Sequence, residues 1–133
     1  MIAKEQVLSR EQMAHLKELG VDTSDAGMCW LRYDADGNVN DVIVTHDEMC
    51  YEFAGSEPCP AYTATDILNK LPKAILEYHI MVDFENNRVS YVLMCEGNIA
   101  ETYYSDTGDS LTNALYEALC WVAVNFKELL RKT

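Results

Sequence analysis

The sequence predicts an α+β fold: an antiparallel sheet of about five strands, a hairpin plus a three-strand meander, packed by a long C-terminal helix, with two short helices. Short apolar segments that alternate with polar residues and are joined by tight turns indicate antiparallel strands. A long segment near the end carries apolar residues at three- and four-residue steps, the pattern of a helix lying on a sheet. The 133 residues contain no repeat and no linker, so we expect one domain, residues 1–133.

The first helix is predicted over about residues 10–19. Ser9 is placed to cap it, and Gln12 stands three residues later, as in a capping box. Gly20 follows the last apolar residue of the stripe, where glycine commonly ends a helix.

The next segment, "YDADGNVNDVIV" (33–44), places Asp and Asn on alternate positions, as calcium-binding loops do. A calcium loop that began at Asp34 would need Gly at its sixth position and Glu at its twelfth. Val39 and Thr45 occupy these positions instead. The flanking "MCWLRY" and "VNDVIVT" are rich in β-branched and aromatic residues, so the segment predicts a β-hairpin whose "DADGN" turn binds no ion.

The middle of the chain predicts a loop, a helix and then three strands. "GSEPCPAY" (55–62) has the composition of a loop. Thr63 is predicted to cap a second helix, with Asp66 accepting from its free amides, and Pro72 to end it near Leu71. The three strands of the meander are expected over 76–84, over 89–95 and in "IAETYY" (99–104).

The last helix is predicted within "GDSLTNALYEALCWVAVNFKELLRKT" (108–133), capped by Asp109 or Ser110. Basic residues in its last turns would favour the carbonyl end of the helix dipole; they are Lys127, Arg131 and Lys132. The predicted apolar stripe consists of Leu111, Ala114, Leu115, Ala118, Leu119, Val122 and Phe126.

Two stretches, "YTATDILNKLPKAI" (62–75) and "GDSLTNALYEALCWV" (108–122), resemble a group of small uncharacterised proteins encoded in prophages and mobile elements of intestinal bacteria. The resemblance covers about residues 28–124. That group has no assigned activity, so the resemblance implies a bacterial or phage cytoplasmic setting and carries over no site residue.

Charge excludes some classes of partner. Ten basic residues face 22 acidic ones, which gives a net charge of −12. Between Arg32 and Lys70 eight acids occur with no basic residue, and between Val89 and Phe126 five acids occur with none. Such a chain is repelled by nucleic acids and by anionic membrane surfaces. The start of the chain lacks the apolar segment of a signal peptide, and five scattered cysteines are typical of reduced thiols, so we expect a cytoplasmic protein.

The function that these patterns favour is a small acidic, non-catalytic protein-interaction module with no cofactor and no metal. Its partner would be another protein, for which the negative charge favours a basic one, or a second copy of itself. Carboxylates and tyrosines around the hairpin would form the partner surface. The candidate residues are Asp34, Asp36, Asp41, Asp47, Glu48, Tyr51, Glu52 and Tyr62.

The alternative is a small enzyme or metal-binding protein that uses Cys59, His46 and Asp47. Cys59 stands between two prolines, and a thiol nucleophile or zinc ligand at this position would need a histidine nearby. No C-x-x-C pair, phosphate loop or H-E-x-x-H motif supports this alternative.

Overall fold

The computed structural model describes residues 7–35, 38–45 and 59–130. It confirms the α+β class. The backbone contacts divide the chain into two compact units, Met1–Asp66 and Ile67–Thr133. The boundary falls within a helix rather than in a linker, and each unit is described below by itself.

The first unit begins with α1 (Arg10–Glu18). The predicted capping box is present: Gln12 N donates to Ser9 Oγ, and Ser9 N donates to Gln12 Oε1. Gly20 follows with φ of +87°, the left-handed conformation that glycine adopts at low cost after a helix.

Among the described residues of the first unit, three strands form a sheet in the order β2-β1-β3: β1 (Met28–Ala35), β2 (Asn38–Thr45) and β3 (Cys59–Ala61). β1 and β2 pair in continuous antiparallel register from Met28 opposite Thr45 to Ala35 opposite Asn38. The predicted hairpin is therefore confirmed, although Asp36 and Gly37 of its turn lie outside the described residues.

β3 corrects the sequence prediction, which assigned its residues to a loop. Pro60 lies opposite Cys29 of β1. Proline, which has no backbone N–H group, is tolerated here because β3 is an edge strand. Only the side of its backbone that faces β1 needs N–H donors for pairing. The "HDEMCYEF" segment (46–53), for which either an extension of β2 or a separate strand was considered, lies outside the described residues.

α2 (Ala64–Lys70) carries the predicted cap. Asp66 N donates to Thr63 Oγ1, and Thr63 N donates back to Asp66 Oδ2. The helix ends just before Leu71 and Pro72, as the proline predicted.

The sheet of the second unit has the order β4-β5-β6-β7, all antiparallel: β4 (Ala74–Ile75), β5 (Tyr78–Asp83), β6 (Arg88–Cys95) and β7 (Asn98–Thr107). The predicted meander is therefore present, with β4 as a short additional strand. The predicted strand over 76–84 is too long, because Leu76 lies in the β4–β5 turn with φ of +55° and Phe84 follows the end of β5. Both side chains are exposed.

α3 (Leu111–Asn125) packs on β6 and β7. Ser110 is its cap, and a short 3₁₀ turn, Lys127–Leu129, follows. Leu115, Leu119 and Val122 are fully buried, as their stripe predicted. The helix ends at Asn125, so Lys127 lies beyond it rather than in its last turn; Arg131 and Lys132 lie outside the described residues.

Candidate functional site

Most of the partner surface predicted from sequence lies outside the described residues. The backbones of Asp34 and Asp41 lie on β1 and β2, opposite Val39 and Arg32 respectively. The other five predicted residues of the hairpin region lie outside the described residues: Asp36, Asp47, Glu48, Tyr51 and Glu52.

The structure corrects the prediction for Tyr62, which was expected to anchor a partner at the surface. Its side chain is fully buried. The hydroxyl donates to the carbonyl of Asp22 at 2.9 Å and contacts Asp25 Oδ1 at 2.5 Å. Burial, followed by the Asp25 hydrogen bond and charge, raises the pKa of Tyr62. Tyr62 is therefore a core residue of the first unit.

A different aromatic site lies in the second unit, and an irregularity in β7 creates it. Tyr104 pairs with Tyr91 of β6, whereas Val92 pairs with Thr102. Tyr103 is thus an extra residue, a β-bulge, on the β7 side. A bulge interrupts the usual alternation of side chains, and both Tyr103 and Tyr104 contact Trp121 of α3.

Trp121 contacts four other rings, and a sixth ring, Tyr78, joins the group through Tyr103; these six rings are called the aromatic cluster below. Tyr104 stacks on Trp121 with the ring centroids 4.4 Å apart, and Tyr103 stacks on Tyr78 at 4.7 Å. Tyr103 also meets Trp121 edge to face at 5.7 Å. Offset stacks and edge-to-face contacts are the favourable arrangements of aromatic pairs. The members are Tyr78, Tyr91, Tyr103, Tyr104, Trp121 and Phe126.

The aromatic cluster runs from the core to the surface. Tyr91 is fully buried and Tyr78 nearly so, whereas Tyr103 is 42% exposed. Tyr104, Trp121 and Phe126 are half-buried. The buried rings therefore hold a layer of partly exposed rings in place.

Carboxylates surround the exposed part of the aromatic cluster. The Tyr78 hydroxyl donates to Glu101, and burial together with this hydrogen bond raises the pKa of Tyr78. Burial and then the charges of Asp106 and Glu117 raise the pKa of Tyr104. All three acids are exposed to solvent, so the rings and negative charges share one surface.

Of the three residues of the alternative enzyme or metal site, Cys59 alone lies in the described part of the chain. Cys59 is half-buried, with its thiol directed at the carbonyl of Pro60, while His46 and Asp47 lie outside the described residues. Among residues 7–35, 38–45 and 59–130, no group of three or more His, Cys, Asp or Glu side chains could hold a metal ion. Burial raises the pKa of the Cys120 thiol, which disfavours the reactive thiolate.

Comparisons with known proteins add no assignment: no family model, curated protein or solved structure matches this chain. Across the described ranges, none of the helices combines the length and apolar character needed to cross a membrane.

The sequence predicted a strand at "IAETYY" (99–104) and gave Tyr103 and Tyr104 no role in a site. In a regular strand, consecutive residues point to opposite faces, so nothing in "ETYYSD" predicts that both rings meet one tryptophan. The detectable signal was compositional: five of the six aromatic residues of this site, all except Tyr78, fall in the stretch from Val89 to Phe126, which has no basic residue.

Proposed function

We propose that this protein is a non-catalytic interaction module that binds a basic segment of a partner protein at the exposed part of the aromatic cluster. The carrying observation is the layer of partly exposed rings, Tyr103, Trp121 and Phe126, supported from below by the buried rings of Tyr78 and Tyr91. Tyrosine and tryptophan are the residue types that most often dominate binding energy at protein interfaces.

Rigid support favours binding. A side chain that is already held in its bound conformation loses little conformational entropy when a partner arrives. Tyr103 is held by ring contacts to Tyr78, Trp121 and Phe126, although two-fifths of its surface remains open to solvent. Its ring is therefore held in place while part of its surface stays accessible to a partner.

The charge of the surface indicates the kind of partner. Glu101, Asp106 and Glu117 lie beside the rings, and no Lys or Arg occurs from Val89 to Phe126. Lysine and arginine side chains are attracted both to carboxylates and to the faces of aromatic rings. A basic segment would be attracted both to the carboxylates and to the aromatic rings.

The acidic run from Asp34 to Asp66 is a second candidate surface for the same partner class, supported by its eight carboxylates. The phage or mobile-element origin and the bacterial cytoplasmic location also belong to this proposal; the resemblance described above supports both, and the five scattered cysteines support the location.

The test is a selection of random peptides from a display library on the immobilised protein, followed by affinity measurements on the enriched peptides. We expect enrichment of Lys and Arg, and a loss of affinity of about tenfold or more in Tyr103→Ala, as for a binding hot spot. Phe84→Ala is the matched control, since Phe84 is an exposed aromatic residue outside the cluster. Affinity in this control should be unchanged.

One further arm tests the charge of the contact, and a second separates the two candidate surfaces. Raising the salt concentration should slow association, because complementary charge mainly accelerates encounter. If Asp47→Lys/Glu48→Lys abolishes binding while Tyr103→Ala does not, the partner surface is the acidic run and not the aromatic cluster. Enriched peptides without basic residues, or no enrichment at all, would contradict the proposal.

A further inference from the structure

β7 has an open backbone edge. It is ten residues long and pairs with β6 on one side, and among the described residues no strand pairs with its other side. Nine of its ten residues are exposed, Tyr104 being the exception. On such an edge, alternate residues direct N–H and C=O groups outward, where an extended chain can pair with them.

The bulges restrict where pairing can occur. Register shifts interrupt β7 around Tyr103 and again around Ala100. Between Tyr104 and Thr107 the strand pairs regularly with β6, from Tyr91 to Arg88. Only this segment offers a regular edge, because bulges re-aim the backbone groups of a strand.

One side of α3 stands above the same edge. Trp121 stacks on Tyr104, so the helix face that carries Trp121 lies over β7. Glu117 and Val124 lie four residues before and three residues after Trp121, on that same face. Both are exposed, Val124 to 67%. The edge of β7 at Tyr104–Thr107 and the face of α3 that carries Glu117, Trp121 and Val124 together form a solvent-exposed surface, called the ledge below.

The ledge is negatively charged. Glu117 lies one helical turn before Trp121, which stacks on Tyr104, and after burial the charges of Asp106 and Glu117 raise the pKa of Tyr104. Asp106 stands two residues after Tyr104 in the regular part of β7, hence on the same face of the sheet. A strand laid beside β7 would place alternate side chains on that face.

We propose that an extended segment of a partner protein, with Lys or Arg at alternate positions, adds to the sheet as a strand beside Tyr104–Thr107. This inference rests on the proposed function and specifies its binding mode. Main-chain hydrogen bonds would supply affinity, and the alternate cations, beside Asp106 and Glu117, would supply selectivity. A second copy of this chain fits poorly, because each copy carries a net charge of −12.

The experiment uses the full chain and three synthetic peptides. One has lysine alternating with threonine and valine, the second has the same composition with its lysines in one block, and the third is the alternating peptide with N-methylated backbone amides. Titrations give the affinities, and amide hydrogen exchange of the protein reports which backbone groups the peptide covers.

We expect the alternating peptide to bind more tightly than the block peptide and to protect outward-facing amides within Tyr104–Thr107. Each N-methyl group that removes a main-chain hydrogen bond should weaken binding by about threefold or more. Asp106→Asn and Glu117→Gln should also weaken binding. Glu85→Gln, at an exposed carboxylate in the β5–β6 turn, is the control and should not.

The outcomes separate this inference from the function on which it rests. If the peptide binds and Tyr103→Ala abolishes binding, but N-methylation has no effect and β7 gains no protection, strand addition is wrong and the aromatic binding surface stands. If no basic peptide binds, both proposals fail. Protection of β7 that grows with protein concentration in the absence of peptide would assign the edge to self-association and overturn the inference.

Discussion

The hydroxyl of Tyr91 donates a buried hydrogen bond of 2.8 Å to the carbonyl of Pro72. Pro72 lies between α2 and β4, whereas Tyr91 lies in the middle of β6. The bond therefore fastens the segment that enters the second unit to a central strand of its sheet, and Tyr91 also supports the aromatic cluster through Trp121.

Replacing Tyr91 with phenylalanine tests this bond. The variant should lose about 1–3 kcal/mol of unfolding free energy, because the carbonyl of Pro72 stays buried without its donor. Chemical denaturation checks the loss, with Tyr103→Phe as the control at an exposed ring. Equal stability of Tyr91→Phe and the parent protein would mean that water replaces the hydroxyl.

Alkaline pH should destabilise the fold. Burial raises the pKa of Tyr62, Tyr91, Tyr104 and Tyr116 above the ordinary value of about 10. The folded state thus holds these protons more tightly than the unfolded state. Their contribution is complete below pH about 10 and is lost as pH rises above it.

Denaturant midpoints measured across this range should fall as pH rises. Tyrosinate absorbance should increase together with the loss of circular dichroism. If all eight tyrosines titrated while the protein stayed folded, the buried hydroxyls would have to be accessible.

The packing of α3 predicts a contrast between two positions on one helix. Leu119 is fully buried, while Val124 is 67% exposed. Leu119→Ala should cost about 2–5 kcal/mol of unfolding free energy, because it removes buried methyl groups and leaves a cavity. Leu119→Asp should abolish cooperative folding, since it buries an unpaired charge.

Val124→Ala provides the comparison and should change stability by no more than about 0.5 kcal/mol. Thermal melts of the three variants measure the contrast. Similar melting temperatures for Leu119→Asp and Val124→Ala would refute the packing of α3 on β6 and β7.

Gly108 should not tolerate a side chain. A Cβ at this position would lie 2.7 Å from the backbone nitrogen of Ala114 and 3.0 Å from the carbonyl oxygen of Ser110. Both are backbone atoms at the start of α3, so relief requires the helix to shift. Gly108→Ala should therefore lower the melting temperature.

Gly27→Ala is the matched control. Its Cβ would meet only Asp66 Oδ1, at 3.8 Å, an ordinary contact distance. If the two alanine variants melted at the same temperature, the turn before α3 would have to be more adaptable than its close contacts indicate.

Local sequence signals predicted the elements whose cause is local. Ser9 with Gln12 and Thr63 with Asp66 are side-chain caps that act within three residues, and both are present. The apolar stripe of α3 likewise predicted its buried residues, because helical period and burial follow from the same spacing.

Other features depend on partners distant in sequence. β3 was missed because Pro60 is typical of loops and becomes acceptable only at the edge beside β1. The predicted strand over 76–84 was too long for two reasons. The apolar alternation continues through Leu76, and the β4–β5 turn contains no glycine, asparagine or proline that would mark it as a turn.

The candidate site was missed for the same reason. Tyr62 stands beside a proline-rich loop, yet a hydrogen bond to the distant Asp22 carbonyl holds it in the core. The aromatic cluster depends on a bulge at Tyr103, whose position is set by the pairing with β6 and not by its neighbours in sequence.

The bulge also changes how this strand would respond to the loss of one codon. In a regular strand, deleting one residue turns every following side chain to the opposite face. Here Thr102 and Tyr104 already pair with the consecutive residues Val92 and Tyr91. Deletion of Tyr103 would join these two pairs into an uninterrupted ladder. A single in-frame deletion could therefore remove this exposed ring and keep the pairing of β7 with β6 before and after the deleted position.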